Sequence, residues 1–282
     1  MRESIDGASF AQAMIHAAAS LNLQKQQINE LNVFPVPDGD TGTNMSLTLG
    51  TAAAELRKKQ PHTVGEAAAT NASALLRGAR GNSGVILSLL FRGFAKAVKD
   101  KDSIDGRDLA IALDFGVAAA YKAVMKPAEG TILTVSRLTA ARAADAARQT
   151  PNDPEAVLEA AIAEGQLALE HTTEMNPVLK KAGVVDAGGK GFLVILQGML
   201  DSLRGVPMPE GDGEGEAKVE SKTDYAAIAA EEITFTFDTV FIVRKTSPHK
   251  GLEAFEAYLN SIGDSLVIGE DDDCFKVHVH TD

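Results

Sequence analysis

Apolar residues recur at helical spacing through roughly the first two hundred positions of this chain and switch to alternation only near its end. Phe10, Met14, Ile15, Leu21 and Ile28 place a helix over residues 9–29, and a second follows from about Asn44 to Lys59, stopped at Gln60-Pro61. Thr63-Val64-Gly65-Glu66 has the form of a capping box, so a third helix is expected over 64–76. The run 85–98 is apolar enough to be mostly buried. Further helices are expected over 107–125, from the Thr131 cap to about 148, over 155–171, as a short turn at Asn176-Pro177, and over 192–203. The pattern predicts an all-α domain of about eight helices over 1–204.

Residues 205–222, rich in Gly, Pro and Glu, read as a flexible acidic linker. From 223 to 282 the periodicity changes: strands over 233–243, 265–268 and 274–280 surround a helix over about 248–260, a small α/β domain. It stops directly after a strand, which suggests an incomplete domain. On the last strand Cys274, Lys276, His278 and His280 share one face, and Phe275, Val277 and Val279 share the other. Two imidazoles at i and i+2 can hold one transition metal if a neighbouring strand adds a third ligand; a solvated polar face explains them equally well. Cys274 lies about 13 Å from His278 along such a strand and is a poor co-ligand.

Composition narrows the function. A formal charge of −12 and a pI near 5.0 argue against a sequence-independent nucleic-acid binder. A single cysteine excludes an internal disulfide and suggests a reducing compartment. No segment has the length of a membrane span, and no leader pattern opens the chain, so a cytoplasmic protein is expected.

The candidate chemistry lies in polar glycine-containing segments. In Asn32 to Asn44, N-V-F-P-V-P-D-G-D-T-G-T-N, Asp38 and Asp40 flank Gly39. In an extended conformation both carboxylates would project to one side, a pair of hard oxygen ligands suited to Mg²⁺ shared with nucleotide phosphates. Thr41, Gly42, Thr43 and Asn44 would open a helix whose N-terminus favours an anion. An ordinary acidic turn has the same composition. Gly78 to Gly84, with Gly81, Asn82 and Ser83, precedes the buried helix as a phosphate cradle would, and close helix packing explains its glycines equally well. Gly130-Thr131 and Asp186-Ala187-Gly188-Gly189 repeat the type, and in an up-and-down bundle such connections can gather at one rim.

Taken in order, N-V-F-P-V-P-D-G-D-T-G-T-N-M at 32–45, G-A-R-G-N-S-G-V-I-L-S at 78–88, E-G-T-I-L-T-V at 129–135, D-A-G-G at 186–189 and V-H-V-H-T at 277–281 resemble the L subunit of dihydroxyacetone kinase and, more closely, the A subunit of bacterial fatty acid kinase. The resemblance implies an eight-helix barrel that binds ATP or ADP with Mg²⁺ at one end. Asp38 and Asp40 would be metal ligands, with Asn32 near the place of a third acidic ligand in the dihydroxyacetone kinase branch. Thr41, Thr43, Asn44, Gly81, Asn82, Ser83 and Gly84 would meet phosphates, and Gly130, Thr131 and Asp186 would border the nucleotide. In the second domain the family holds Zn²⁺ with a cysteine and two histidines. His278 and His280 match, while Asp238 stands where cysteine is expected. The implied reaction is phosphoryl transfer to a fatty acid carboxylate presented by a separate fatty-acid-binding protein of the DegV type, and the family's nucleotide-binding chains are often homodimers. The alternatives are a non-catalytic nucleotide-binding scaffold and a dihydroxyacetone (glycerone) kinase subunit.

Overall fold

The computed structural model describes residues 3–210, 235, 237–246, 252–270 and 274–282. Most of the expected acidic linker, the start of the first expected strand and the first residues of the helix expected over 248–260 lie outside them.

Among the described residues, nine helices make the first body: α1 Gly7–Asn29, α2 Thr41–Lys59, α3 Val64–Gly78, α4 Gly81–Ala97, α5 Gly106–Ala123, α6 Ile132–Gln149, α7 Pro154–Met175, the short α8 Pro177–Ala182 and α9 Ala187–Leu203. Two-residue strands, β1 Ile5–Asp6 and β2 Ser103–Ile104, pair beside them. Local chemistry starts most helices as expected. Thr63 and Glu66 form the reciprocal capping box of α3. Asp6, Asp105, Asp153, Asn176 and Asp186 accept backbone N–H groups at the starts of α1, α5, α7, α8 and α9.

Each long helix packs on the next, and α9 returns against α1, so eight long helices close into a barrel around one apolar core. Met14, Leu21, Met45, Leu49, Leu75, Val85 and Ile195 are among its fully buried members. Because successive helices alternate in direction, α2, α4 and α6 begin at the same end, and α9 begins there too.

The second body is a three-stranded antiparallel sheet of β3 Phe237–Arg244, β4 Gly263–Glu270 and β5 Cys274–Thr281, ordered β3-β5-β4, with α10 Glu253–Ile262 on one face. Val277 and Val279 pack under Leu259, and Phe255 meets Phe241 and Phe275 edge-on. The opposite face, with Lys276 and His278, is turned against the helical barrel rather than solvent, and His278 is 1% exposed. Val267 joins the helical core, and Lys276 Nζ donates to the carbonyls of Arg77 and Ala79 at the end of α3.

Candidate nucleotide and metal site

Two segments read as loops are the first turns of helices. α2 starts at Thr41 rather than Asn44, and α4 at Gly81 rather than Val85. Neither N-cap, Asp40 nor Arg80, makes a side-chain capping bond; at α2 the N–H groups of Thr41 and Thr43 go instead to Asn32 and Asn29 from outside the helix, while among the described residues no side chain caps the first N–H groups of α4. The two helix starts lie side by side. A Cβ on Gly81 would come 2.6 Å from Asn44 Nδ2, and Gly81 has φ +57°, so only glycine allows this approach without strain. Arg80 N–H donates to Thr48 Oγ1 at 3.1 Å, fixing the entry of α4 on α2.

The 32–44 loop is held from beneath by two asparagines. Asn32 is buried; its Nδ2 donates to Val36 O, and its Oδ1 accepts from Asp40 N, Thr41 N and Thr41 Oγ1 at 3.2, 2.9 and 2.6 Å. That oxygen is spent on the loop itself, which gives Asn32 the work of a strut. Asn29, at the end of α1, plays a similar part: its Oδ1 accepts from Thr43 N and its Nδ2 donates to Thr43 Oγ1, both at 3.0 Å. Asn29 has no signal in the sequence, because its partners lie fourteen residues on.

Asp38 and Asp40 are brought together by a turn at Gly39, with φ +67°, instead of by an extended pleat. Desolvation, then the neighbouring Asp40 carboxylate, push the Asp38 carboxyl up to about 7. Two hard carboxylates that repel each other form a site short of positive charge, which is the donor set a divalent cation such as Mg²⁺ fits. Beside them Asn82 Oδ1 is buried without a partner, on an amide that can turn either its oxygen or its N–H₂ group to a ligand.

The same small polar cleft, about 40 Å³, is lined by Asn32, Asp38, Asp40, Asn44, Gly81 and Ser83 from the barrel and by Asp238, His278 and His280 from the sheet. The register pairs Asp238 with His280 across β3 and β5, and one ligand atom from each of the three residues lies within 4.8 Å of the others. Asp238 Oδ1 is 3.1 Å from His278 Nδ1 without hydrogen-bond alignment, and that nitrogen is a buried orphan. His278 Nε2 and His280 Nε2 are 3.3 Å apart, the spacing of two ligands on one tetrahedral ion with bonds of roughly 2.0–2.1 Å. Burial, then the charges of His280 and Lys276, push His278 down to about 3, leaving it neutral, with one ring nitrogen carrying a lone pair that can ligate. Burial also raises Asp238, with His280 opposing and Asp40 adding to the rise. The donor set therefore fits a Zn²⁺-type ion, and His280 Nδ1, 3.4 Å from Asp264 Oδ1, has the outer carboxylate such ligands commonly use.

Next to the cleft lies a larger cavity of about 350 Å³, lined by the starts of α2, α4, α6 and α9 through Thr41, Asn82, Ser83, Thr131, Asp186 and Gly188. The sequence-derived residues therefore gather at one rim. Thr43 and Gly84 stand just behind it, Gly84 packed so that a Cβ would meet Thr48 Oγ1 at 2.5 Å. Gly130, φ +75°, positions the Thr131 cap of α6.

A family model for the DAK2 domain matches residues 35–201. The chain belongs to the DAK2-domain family. A second model, for the middle domain of proteins like the A subunit of fatty acid kinase, matches residues 234–282. Protein YloV of Bacillus subtilis (strain 168) is 40% identical over 287 residues, covering 99% of this chain and 52% of the relative. An uncharacterized protein of Staphylococcus haemolyticus is 41% identical over 287 residues, covering 100% of this chain and 52% of the relative. The chain spans about half the length of these curated relatives. The native crystal structure of the dihydroxyacetone kinase of C. freundii resembles it with a TM-score of 0.50 at 22% identity, over 72% of this chain and 35% of that one; this likeness shows the helical fold. No described helix is long and apolar enough to cross a membrane.

Within the DAK2 domain Asp186 is the most deeply buried acid of the rim, 5% exposed. Its Oδ2 accepts from Gly189 N at 2.7 Å to cap α9, and its own N–H donates to Thr172 Oγ1 at 3.1 Å. Burial pushes its carboxyl up to about 6 against the lowering effect of the Gly189 and Ile132 N–H groups. Between an ordinary carboxyl pKa of about 4 and this raised value, the folded chain holds a proton that the unfolded chain has released, so stability from this group is present at low pH and lost as pH rises through 6. Asp186→Asn keeps an acceptor for Gly189 and removes the charge. Its stability relative to wild type is expected to rise by roughly 1 kcal/mol between pH 5 and pH 7.5, the pKa unit that separates pH 5 from about 6, read as a rise in relative melting temperature; a difference independent of pH would refute the burial account.

Proposed function

We propose that this chain is the ATP-binding component of a fatty acid kinase. It would transfer the γ-phosphoryl group of ATP to the carboxylate of a fatty acid held by a separate fatty-acid-binding protein of the DegV type. The observation that carries the reading is the convergence of the Asp38–Asp40 pair with the start of α2 and the uncapped start of α4 around one cleft. Membership in the DAK2 family and the second domain's match to the fatty acid kinase middle domain support it.

In the reaction a carboxylate oxygen forms a bond to the γ-phosphorus as the bond from phosphorus to the β–γ bridging oxygen breaks, giving acyl phosphate and ADP. An acyl carboxylate is already ionised at neutral pH, so no general base is needed. Positioning and charge neutralisation are then the main demands on the protein. Asp38 and Asp40 would hold Mg²⁺, which when bound offsets developing charge on the terminal phosphates. Gly81, Asn82 and Ser83 would direct backbone donors, and Asn44, Asn82 and Ser83 side-chain donors, at those phosphates, while Thr43 and Gly84, whose N–H groups go to Asn29 Oδ1 and Arg80 O, would hold the two helix starts in place behind them. Asp186 fixes the start of α9 at the cavity wall through its Gly189 cap. In the second domain Asp238, His278 and His280 would hold Zn²⁺.

A phosphotransfer assay with ATP, Mg²⁺, oleate and a fatty-acid-binding partner from the same organism tests the proposal. ADP release dependent on both oleate and partner is expected. Turnover of dihydroxyacetone with a sugar-binding partner, and none with oleate, would transfer the chain to the glycerone kinase branch. ATP binding without turnover on either acceptor would leave a nucleotide-binding scaffold.

A further inference from the structure

The larger cavity is not walled by the DAK2 barrel alone. Its far side is built by Asn260 at the end of α10 and by Asp264, Ser265, Leu266 and Val267 of β4. Three features hold this wall against the barrel. Val124, just past α5, bridges to Val267 as an isolated antiparallel pair, and Val267 is buried in the helical core. A Cβ on Gly269 would fall 2.8 Å from Leu76 of α3, so β4 lies close on the barrel. Lys276 buries its stem between the bodies and reaches the carbonyl ends of α3, placing a cation where the helix C-terminus is negative.

The strand is also shaped for the cavity. Asp264 pairs with His280 and Val267 with His278, so β4 carries one residue more than β5 between these pairs. Ser265, within the extra segment, has φ +54°. Such a bulge bends a strand and re-aims its side chains, and bulges concentrate beside functional sites. Here the bulged residues are the ones that face the cavity.

The occupant follows from continuity with the polar cleft. Phe34, Pro35, Thr41, Asn82 and Ser83 line both spaces. Phosphates at the starts of α2 and α4 would leave the rest of a nucleotide in the larger cavity, whose apolar walls include Ile86, Val124, Leu133 and Leu266. Its 350 Å³ lies within the range of small-molecule sites.

We propose that the nucleotide site is shared between the two domains, with the bulged segment of β4 and the end of α10 forming the wall against which the nucleoside of a bound nucleoside triphosphate packs. The proposal rests on the nucleotide reading above. Anything that loosens the second domain then weakens nucleotide binding, and nucleotide in turn steadies the second domain.

Hydrogen exchange of the whole chain with and without Mg²⁺-ATP tests it. Protection is expected in the first turns of α2 and α4 and also across residues 260–268. Protection of α2 and α4 without 260–268 would overturn the shared wall while sparing the nucleotide reading; no protection anywhere would overturn both. Oleate alone protecting 260–268 would assign the cavity to an acyl chain and also overturn the proposal. Asn260→Trp provides a second measure. Asn260 is exposed and its side-chain amide donates to Glu256 O of its own helix, so a large ring there narrows the cavity without entering a core. ATP affinity by calorimetry is expected to fall at least tenfold, and a change within twofold would refute the wall.

Discussion

The double variant Asp38→Ala, Asp40→Ala is expected to lose Mg²⁺-dependent ATP binding and to turn over at least about a thousandfold more slowly, the several kcal/mol that a metal contributes to phosphoryl-transfer charge. Among the described residues, the two carboxylates are the acidic groups that the barrel itself brings to the polar cleft, and the other barrel residues lining it, Asn44, Gly81, Asn82 and Ser83 among them, carry no charge. With Asp38 and Asp40 gone, nothing on the barrel side offsets a magnesium ion, and phosphate meets only neutral donors there. Loss of fold is not the expected cause. Asn32 and Asn29 anchor the loop through hydrogen bonds that use the backbone of Asp40, the backbone and side chain of Thr41 and Thr43, and neither aspartate side chain. Removing two mutually repelling carboxylates relieves the loop in metal-free buffer, so the melting temperature there should equal or exceed that of wild type. In Mg²⁺ the order should reverse, because only wild type gains from binding. Calorimetry with Mg²⁺-ATP decides the outcome: unchanged affinity in the double variant would remove the metal role of both residues.

The barrel was legible in the sequence because its helices carry their own start signals, such as the Thr63–Glu66 box and Pro154. The second sheet's faces were legible too, since alternation along β5 separates Phe275, Val277 and Val279 from Lys276, His278 and His280. The helix starts at Gly81 and Ala187 were not. Glycine has poor helix propensity, so a propensity reading delays α4 to Val85 and α9 to Phe192. Tertiary packing overrides it: a Cβ on Gly84 would strike Thr48, one on Gly189 would meet Val135 at 2.8 Å, and one on Gly191 would meet Met45 at 2.6 Å. The packing and phosphate-cradle readings of these glycines therefore describe compatible features, since close helix contact is what brings the helix starts together. Least legible was the contact between the domains. Periodicity assigns His278 to a face, but whether that face meets water or the barrel depends on partners some two hundred residues away, as Lys276 with Arg77 illustrates. The roles of Asn260 and Ser265 have the same origin, and so they escaped a reading of motifs.

Removing both imidazoles, as His278→Ala with His280→Ala, is expected to abolish uptake of one zinc ion per chain and to lower the zinc-dependent stability of the second domain by several kcal/mol. Burial already holds His278 neutral, so metal binding near pH 7 does not first have to displace a proton from that ligand. In zinc buffered a thousandfold above its dissociation constant, wild type gains about 4 kcal/mol from binding and the double variant gains none. A chelator should therefore lower the wild-type melting temperature and leave the variant unmoved. Asp238 gives the prediction its finer edge. Its carboxylate stands opposite His280 on the neighbouring strand, and a carboxylate is a harder ligand for zinc than thiolate. Asp238→Cys should raise zinc affinity at least tenfold in competition with a chromophoric chelator, without altering the sheet register that brings position 238 to the histidines. If wild type binds no zinc in that competition, and Asp238→Cys still binds none, the three side chains are a buried hydrogen-bonding cluster and the metal assignment fails.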